Sequence, residues 1–342
     1  MSLMKKKPLV LISGGAGFIG VNAANSYLER GWDVSIFDNF SRRGTRDNAR
    51  WLRGRGPVEI VTGDVRSLSA VSRWVGRKAP ELFLHLAAQV AVTSSVTDPI
   101  VDFQINAGGT VNVLEVLRKL KSSPLIIYTS TNKVYGGMED AGVVRRGARY
   151  EFTRLRSGVS EEQGLDFHSP YGCSKGAADQ YVRDYHRIYG LPTVVFRQSC
   201  IYGPHQHGNE DQGWVAHFMK AAQTGDPLSL YGDGMQIRDL LHIDDLVAAF
   251  ERARTRAHTV SGRVYNIGGG PARTLSLREL ITWIEAKTGR RLAVSRHAWR
   301  PGDQKVYVSD IRKAKREFGW SPRISVPDGL DSLWHWLRAS ST

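Results

Sequence analysis

The chain has few residues that could form disulfides, because its 342 residues include only two cysteines, Cys173 and Cys200. They lie far apart in sequence, so no disulfide framework is predicted and a reducing cytoplasm is the expected compartment. Long hydrophobic runs are also missing. Glycines at positions 14, 15 and 17 interrupt the apolar N-terminal stretch, which argues against a signal-peptide core and a membrane span there. We therefore expect no membrane association.

Acidic residues are under-represented: 33 Asp and Glu stand against 47 Lys and Arg, which gives a formal net charge of +14. Such a balance permits nucleic-acid binding. The basic residues are scattered, however, and neither a zinc-ligand spacing nor an RNA-binding signature accompanies them. We therefore expect no metal site and no nucleic-acid partner. A surface that attracts an anionic nucleotide substrate explains part of the charge.

Short apolar runs alternate with helical stretches as far as Arg197. Runs of this kind, bounded by glycines, are typical of buried parallel strands. The predicted strands span residues 9–13, 33–37, 58–62, 82–86, 125–130, 192–197 and 264–268. The predicted helices span residues 18–30, 68–77, 101–120, 171–189, 277–288 and 310–318.

This alternation predicts an α/β fold with a Rossmann-type doubly wound parallel sheet. After Arg197 the alternation fades into turn-rich segments, so the second half is expected to build a smaller, interleaved α/β cap over the carboxyl edge of the sheet. The predicted division assigns 1–198 and about 240–268 to the sheet domain, and about 199–239 and 269–342 to the cap.

Gly14, Gly17 and Gly20 follow the first predicted strand and open the first helix. The missing side chains let the turn close and let a pyrophosphate approach the backbone, where the helix N-terminus favours its charge. Asp38 ends the second strand, where an acid holds the ribose diol of a dinucleotide. Because a carboxylate repels a 2′-phosphate, NAD is favoured over NADP. Asp64, after the third strand, is similarly placed to meet the adenine.

Tyr171 and Lys175 are four residues apart, so on a helix both project from one face. A tyrosine hydroxyl with a pKa near ~10 is a poor base at neutral pH. An adjacent ammonium lowers that pKa, and a hydroxyl from Thr131 completes a relay to a substrate alcohol. The three residues predict proton transfer on a sugar hydroxyl while a nicotinamide carries the hydride.

The chain resembles the extended short-chain dehydrogenase/reductases that act on nucleotide sugars. The matching motifs run from Ser13 to about Pro322. They comprise the glycine run, His85-Leu86-Ala87-Ala88, Asn106 with Gly109-Thr110 and Asn112, Thr131 with Val134-Tyr135-Gly136, Tyr171 with Lys175, Tyr202-Gly203-Pro204, and Gly232-Asp233-Gly234 with Gln236, Arg238-Asp239 and His242.

The resemblance assigns a nucleotide-binding role to the first domain and a nucleotide-sugar-binding role to the cap. It implies Thr131, Tyr171 and Lys175 as catalytic residues. The predicted cofactor-binding residues are Gly14, Gly17, Phe18, Ile19, Gly20, Asp38, Asn39, Ser41, Arg42, Asp64, Val65, Leu86, Ala87, Ala88, Gln89, Asn106, Thr129, Tyr171 and Lys175. The predicted substrate-binding residues are Gln89, Asn132, Lys133, Cys200, Trp214, Arg238 and Arg300, the two arginines gripping a diphosphate.

Within that family, Asn132 and Lys133 are the discriminating pair. The 4,6-dehydratases place Asp-Glu there as the acid and base that eliminate water, so dehydration is not expected. The segments 130–136, 165–181 and 211–215 are similar to 2-epimerases of CDP-linked sugars. This similarity implies inversion at C2 of CDP-paratose, or of CDP-glucose, with tightly bound NAD regenerated each turnover. Cys200 departs from the asparagine that many relatives carry and is interpreted as a pocket-lining residue. Cys173 is interpreted as inert packing.

Two alternatives stay open at this point. A UDP-sugar 4-epimerase uses the same fold and the same Tyr/Lys pair, and differs in its sugar pocket. A non-catalytic NAD-sensing or RNA-associated protein on the same scaffold belongs to another class. A homo-oligomer, either dimer or tetramer, is expected because the family often dimerises through the helices predicted at 101–120 and 171–189.

Overall fold

The computed structural model describes residues 7–300 and 303–340. Its strands, in chain order, are β1 Leu9–Ser13, β2 Asp33–Asp38, β3 Val58–Thr62, β4 Leu82–His85, β5 Leu125–Thr131, β6 Val143–Arg146, β7 Arg149–Phe152, β8 Thr193–Gln198, β9 Cys200–Tyr202, β10 Leu228–Tyr231, β11 Ile237–His242, β12 Arg263–Ile267, β13 Thr274–Ser276, β14 Val294–His297 and β15 Val306–Tyr307.

The α-helices are α1 Phe18–Glu29, α2 Thr45–Arg53, α3 Leu68–Val75, α4 Val92–Thr97, α5 Pro99–Phe103, α6 Gly109–Leu117, α7 Ser169–Tyr189, α8 Trp214–Thr224, α9 Ile243–Thr255, α10 Ala257–Val260, α11 Leu277–Thr288, α12 Arg312–Phe318 and α13 Val326–Ser340.

Seven of these strands form one parallel sheet in the order β12-β8-β5-β4-β1-β2-β3. In β1, Val10 and Ile12 pack into one apolar cluster, whereas Leu11 packs into another. Alternate side chains point to opposite faces of a strand, so the sheet is covered on both faces. The predicted doubly wound Rossmann-type sheet is confirmed, and all seven predicted strands are in it.

The helical stretch predicted over 101–120 is confirmed as far as Leu117, but it contains a π turn that was not predicted. The chain forms α5, then a π-helical turn at Gln104–Gly108, and then α6. A π turn accommodates an extra residue inside a helix, and such turns occur frequently at functional sites. Here the turn carries Asn106, whose buried side chain bonds to residues outside the helix.

The remaining sheets are small. Strand β11 pairs with β9, β13 and β15, strand β10 pairs with β14, and β6 with β7 forms a hairpin. A separate apolar cluster contains Tyr202, Met219, Leu280 and Leu333, which join β9 to α8, α11 and α13. The division of the chain into two domains stays a prediction. Within the described residues, no helix is long and apolar enough to cross a membrane.

Candidate active site

The turn between β1 and α1 leaves no room for side chains. Gly14 adopts φ +69°, and a Cβ there would lie 2.7 Å from the Ala87 nitrogen. A Cβ at Gly20 would lie 2.3 Å from the Gly14 oxygen. Both distances are shorter than atoms tolerate, so the turn requires glycine at these positions. The start of α1 therefore presents bare backbone, as a bound pyrophosphate needs.

A cavity of about 460 Å³ opens beside this turn, at the carboxyl edge of the parallel sheet. Ligands of open α/β sheets bind at this edge. Every predicted cofactor-binding residue lines the cavity except Asn106, Thr129, Tyr171 and Lys175. The lining also includes His205, Gln206 and His207, which the sequence motifs did not indicate. Glycine turn, sheet edge and cavity fit a dinucleotide.

Asp38 is anchored at the end of β2. Its carboxylate accepts the Ala16 N–H at 3.0 Å and the Phe40 N–H at 2.8 Å. The pKa of Asp38 is raised overall, because burial raises it more than these N–H donors and Arg42 lower it. Asp64 bonds to Asn39 at 2.9 Å and to Arg66. Burial raises the pKa of Asp64, but the bonds from Arg66 and Asn39 outweigh it, and the pKa is about 2. Asp64 is therefore ionised at neutral pH.

Segment 205–212, which follows β9, forms one wall of the cavity. The Asn48 side chain donates to the His205 carbonyl at 3.4 Å and meets the His207 ring nitrogen at 3.3 Å. Arg42 donates to the side chain of Gln212. Residues of α2 and of the β2–α2 loop thus hold this wall in place. Sequence reasoning missed residues 205–210 of this wall because they belong to no nucleotide-binding motif.

Asn106 braces the loop after β4 rather than lining the cavity. Its side chain accepts the Gln89 N–H at 2.9 Å and donates to the Gln89 carbonyl at 3.0 Å. It also bonds to Ser174 on α7 at 3.0 Å. The π turn, the loop after β4 and the helix of Tyr171 are therefore joined by one buried amide. The predicted role of Asn106 in cofactor binding stays a prediction.

Tyr171 and Lys175 lie in the first two turns of α7, and both are buried. Burial raises the pKa of Tyr171 to about 12, although a hydrogen bond with Thr131 and the charge of Arg42 lower it. Thr131 ends β5 and is itself buried. Thr131 thus influences the pKa of Tyr171, and the hydroxyl relay between them stays a prediction.

Lys175 is held at the end of β5. Its ammonium donates to the Thr129 carbonyl at 2.6 Å and lies 4.3 Å from the centre of the Tyr128 ring. Burial lowers the pKa of Lys175 to about 7. The expected lowering of the Tyr171 pKa by Lys175 stays a prediction.

Most of the predicted substrate-binding residues cluster on the cap side. Burial and the charge of Arg238 lower the pKa of Lys133 to about 8, and Asp303 opposes them. Arg238 donates to Asp303 at 2.6 Å. Arg300 lies 3.9 Å from the centre of the Tyr231 ring and contacts Glu210 and Asp211. The two arginines predicted to grip a diphosphate are therefore already paired with acids.

Cys200 accepts the Trp214 indole N–H at 3.2 Å, which places two predicted pocket residues together. Burial raises the pKa of the Cys200 thiol to about 12, so it stays neutral and unreactive at physiological pH. The interpretation of Cys173 as packing is wrong, because its side chain is exposed. One turn of α7 places positions 171 and 175 inward and position 173 outward.

Asn132 is held from the cap. It donates to Gln304 at 3.2 Å, and Gln304 donates in turn to the Gly136 carbonyl. Gln304 is 2% exposed and was not predicted, because no sequence motif links it to β5. His85 is buried and bonded to Ser13 and Thr110, in agreement with a packing role. No group of His, Cys, Asp or Glu within residues 7–300 and 303–340 is arranged to hold a metal ion.

Known proteins share this architecture along nearly the whole chain. The chain is 43% identical over 335 residues to the CDP-paratose 2-epimerase of Salmonella typhi, covering 96% of this chain and 99% of that one. The UDP-glucose 4-epimerase of Thermotoga maritima, solved with UDP-glucose, superposes with a TM-score of 0.84 at 28% identity, covering 98% of this chain and 100% of that one.

A third relative carries both ligand classes. The UDP-glucuronic acid 4-epimerase of Bacillus cereus, solved with UDP-glucuronic acid and NAD, has a TM-score of 0.84 at 26% identity, covering 97% of this chain and 99% of that one. The family model described as GDP-mannose 4,6 dehydratase matches residues 11–333. With the glycine turn, the Tyr171/Lys175 helix and this match in agreement, the chain belongs to the family of NAD-dependent nucleotide-sugar epimerases and dehydratases.

Proposed function

We propose that this enzyme inverts C2 of a CDP-linked hexose and converts CDP-paratose into CDP-tyvelose. The supporting observation is the 43% identity, over 96% of the chain, to a CDP-paratose 2-epimerase. The residues after β5 agree with it. Asn132 is neutral and bonded to Gln304, and Lys133 is a cation near Arg238, so the acid and base pair of a dehydratase is absent from these two positions.

The position of the inverted carbon constrains the route. A ketone at C4 acidifies the hydrogens on C3 and C5 and leaves the hydrogen on C2 unactivated. Oxidation at C4 therefore does not lead to inversion at C2. The direct route oxidises C2 itself, turns the resulting 2-keto sugar in the pocket, and reduces it from the opposite face. Substrate and product then have the same oxidation state, and no external redox partner is needed.

NAD, when bound, supplies the acceptor and donor of the hydride at C2. Side chains of the protein transfer the proton of the C2 hydroxyl. Tyr171 takes the proton of the C2 hydroxyl as the ketone forms, and Thr131, which lowers the pKa of Tyr171, stabilises the phenolate. Tyr171 returns the proton when the ketone is reduced. Lys175, fixed by the Thr129 carbonyl, supports a nicotinamide ribose from the end of β5.

The cap residues bind the nucleotide sugar in this proposal. Arg238 and Arg300 are planar donors suited to diphosphate oxygens, and each has an acidic partner to exchange for them. Lys133, Cys200 and Trp214 line the sugar pocket, while Gln89 approaches from the cofactor side. The wall formed by 205–212 supports tight retention of NAD, which is regenerated each turnover.

The test is incubation of the purified enzyme, without added NAD, with CDP-paratose, CDP-glucose or UDP-glucose while NMR follows the ring protons. Inversion at C2 of a CDP-sugar, with UDP-glucose unchanged, is the expected result. The second candidate is a UDP-sugar 4-epimerase, because such an enzyme superposes on the chain over 98% of its length. Inversion at C4 of UDP-glucose would establish it. No reaction on any of the three, with NAD also supplied, would contradict both.

We further propose that the enzyme is a homodimer through α5 and α7. Apolar side chains are exposed there: Ile100 at 69%, Phe103 at 58%, Ile188 at 66% and Tyr189 at 51%. Apolar side chains exposed on two packed helices favour an interface there. Native mass spectrometry should show a dimer, and Ile100→Asp together with Ile188→Asp should give a folded monomer. A wild-type monomer at micromolar concentration would contradict this assignment.

A further inference from the structure

A second cavity, of about 220 Å³, lies beside β12, the edge strand of the parallel sheet. It shares no lining residue with the cavity beside the glycine turn. Its volume is below the ~300–1,000 Å³ of pockets for drug-sized ligands, so a fitting occupant is small. Four of its eight lining residues are cationic: Arg183 on α7, Arg197 on β8, Arg263 on β12 and Lys313 on α12. Four elements of the fold thus bring positive charge to one place.

Most of these cations are not paired with a carboxylate. Arg197 is 2% exposed and forms an ion pair with Asp179 at 2.9 Å. Among the described residues, Arg183, Arg263 and Lys313 have no carboxylate within ion-pair distance. Buried charges in proteins are normally paired, and like charges brought together repel each other. An anion among these side chains would therefore stabilise the arrangement.

Glu161, the one acid in the lining, does not neutralise this cluster. Its carboxylate accepts the Asn266 N–H at 2.7 Å and so caps a backbone donor of the edge strand. The pKa of Glu161 is raised, chiefly by burial, although the Asn266 N–H and Lys313 lower it. Even with Glu161 ionised, the four cations face only two carboxylates, those of Glu161 and Asp179. The cavity is therefore positive.

The guanidinium groups at the cavity have N–H donors to spare. Arg183 Nη1 donates to Gln180 at 3.0 Å, but the buried Nε of Arg183 has no hydrogen-bond partner among the described residues. The bonds of Arg197 use three of its five N–H groups, two to Asp179 and one to Tyr135. A buried donor without an acceptor costs free energy, so an acceptor of negative charge in the cavity would be favoured.

We propose that this cavity is a second anion site of the enzyme, which binds a phosphate group between Arg183, Arg263 and Lys313. A guanidinium presents a fork of donors that suits phosphate oxygens, and a lysine ammonium adds a compact positive charge. Lys313 donates one N–H to the Val264 carbonyl at 2.9 Å, which leaves two for a ligand. None of the eight lining residues is aromatic, so no ring is available for a base to stack on. The recognised group is the phosphate itself, either free or as a monoester.

Calorimetric titration of the NAD-loaded enzyme with inorganic phosphate, at constant ionic strength, measures this site. The wild type should bind phosphate with a Kd of about 1 mM or lower. Arg183→Gln and Lys313→Gln should each raise that Kd about tenfold or more. Arg187→Gln and Lys315→Gln are the matched controls, because these exposed residues lie on the same two helices and outside the lining. Each control should change the Kd by less than about twofold.

Glu161→Gln tests the site with the opposite sign. The amide keeps an oxygen for the Asn266 N–H and removes a negative charge, so the Kd for phosphate should fall about threefold or more. This variant answers the question if the loss of a cation prevents folding. Titration with ribose 5-phosphate separates the two sources. A Kd well below that of phosphate, raised by Arg183→Gln, would identify a monoester as the ligand. A Kd equal to or above that of phosphate would identify the free ion.

Crystals of the NAD-loaded enzyme soaked in arsenate, a tetrahedral anion with an anomalous X-ray signal, locate the site. A peak between Arg183 and Lys313 is the expected result. A peak only at the glycine turn or beside Arg238 would overturn the proposal. Phosphate binding that is unchanged in Arg183→Gln and Lys313→Gln, or weakened equally in both controls, would also overturn it. Because none of these measurements uses a CDP-sugar, an inactive wild-type enzyme would overturn the proposed function and leave the result for this cavity intact.

Discussion

Asp303 forms an ion pair with the guanidinium of Arg238. Arg238 Nη2 donates to Asp303 Oδ1 at 2.6 Å. The side chain of Arg238 is 13% exposed and that of Asp303 is 21% exposed. A substrate diphosphate that binds Arg238 has to share this guanidinium with a carboxylate or displace it. Asp303 also partly offsets the effect of Arg238 on the pKa of Lys133. Asp303 therefore reduces the positive charge around Arg238 and Lys133 before substrate binds.

Asp303→Asn should strengthen CDP binding. The amide keeps a hydrogen bond to Arg238 but removes the negative charge that opposes the diphosphate. We expect a Kd for CDP about tenfold lower, equivalent to ~1.4 kcal/mol. Calorimetric titration of the holoenzyme measures it. Asp331→Asn, at a surface pair with Lys287, is the control and should leave the Kd unchanged. Weaker binding in Asp303→Asn would mean that the carboxylate orients Arg238 for the diphosphate.

Tyr171→Phe should abolish most turnover and leave the cofactor bound. In the proposed mechanism the hydroxyl takes the sugar proton, and such groups contribute about 10²–10⁴-fold to a rate. The measurements are kcat by NMR and the NAD content of the purified protein. Tyr181→Phe, at an exposed tyrosine of the same helix, should behave as wild type. Substantial activity in Tyr171→Phe would remove this tyrosine from the central role.

The burial of Lys175 should make stability depend on pH. Its pKa falls from 10.5 to about 7 in the folded chain, chiefly through burial. Between these values the unfolded chain binds more protons than the folded chain, so stability rises with pH. The penalty is therefore full below pH 7 and is lost as the pH approaches 10.5.

Chemical denaturation of the cofactor-stripped chain from pH 6 to 10 tests this. The free energy of unfolding of Lys175→Met minus that of wild type should be most positive near pH 6 and should fall toward pH 10. Lys175→Arg keeps its charge throughout, so its deficit relative to wild type should grow over the same range. A difference for Lys175→Met that is independent of pH would contradict the lowered pKa.

Asp38 should govern the choice between NAD and NADP. Its carboxylate accepts the Ala16 N–H within the glycine turn, so its charge lies where a 2′-phosphate would approach. Asp38→Ser removes that repulsion while Arg42 and Arg43 remain. The ratio of Kd values should move toward NADP by about tenfold or more. Asp33→Asn, at the exposed start of the same strand, should leave the ratio unchanged. An unchanged ratio in Asp38→Ser would mean that other residues determine the choice between NAD and NADP.

The strands and the glycine turn were predictable because each is encoded locally. The run Leu9–Ser13 is apolar and ends in glycines, and a buried parallel strand needs little else. The helix that carries Tyr171 was equally predictable, because Pro170 marks its start and Gly190 its end. Helix α2 escaped prediction because it is short and six of its nine residues are polar. The π turn escaped because apolar periodicity does not reveal one inserted residue.

The candidate site was predictable only where a motif carried it. Strand β5, which ends at Thr131, and helix α7, which carries Tyr171, were predictable because both belong to the local pattern of the sheet. Gln304 comes from a distant segment with no periodicity, and it reaches Asn132 through tertiary folding. The partner of Lys175 was also missed, since a backbone carbonyl such as that of Thr129 leaves no trace in the identities of residues.

The wall formed by 205–212 is held by residues outside the glycine turn. Asn48 ties this wall to α2 through His205 and His207, away from Asp38. In the proposed function, release of the dinucleotide requires this wall to open, so the rate of cofactor exchange would depend on these ties rather than on the hydrogen bonds of Asp38.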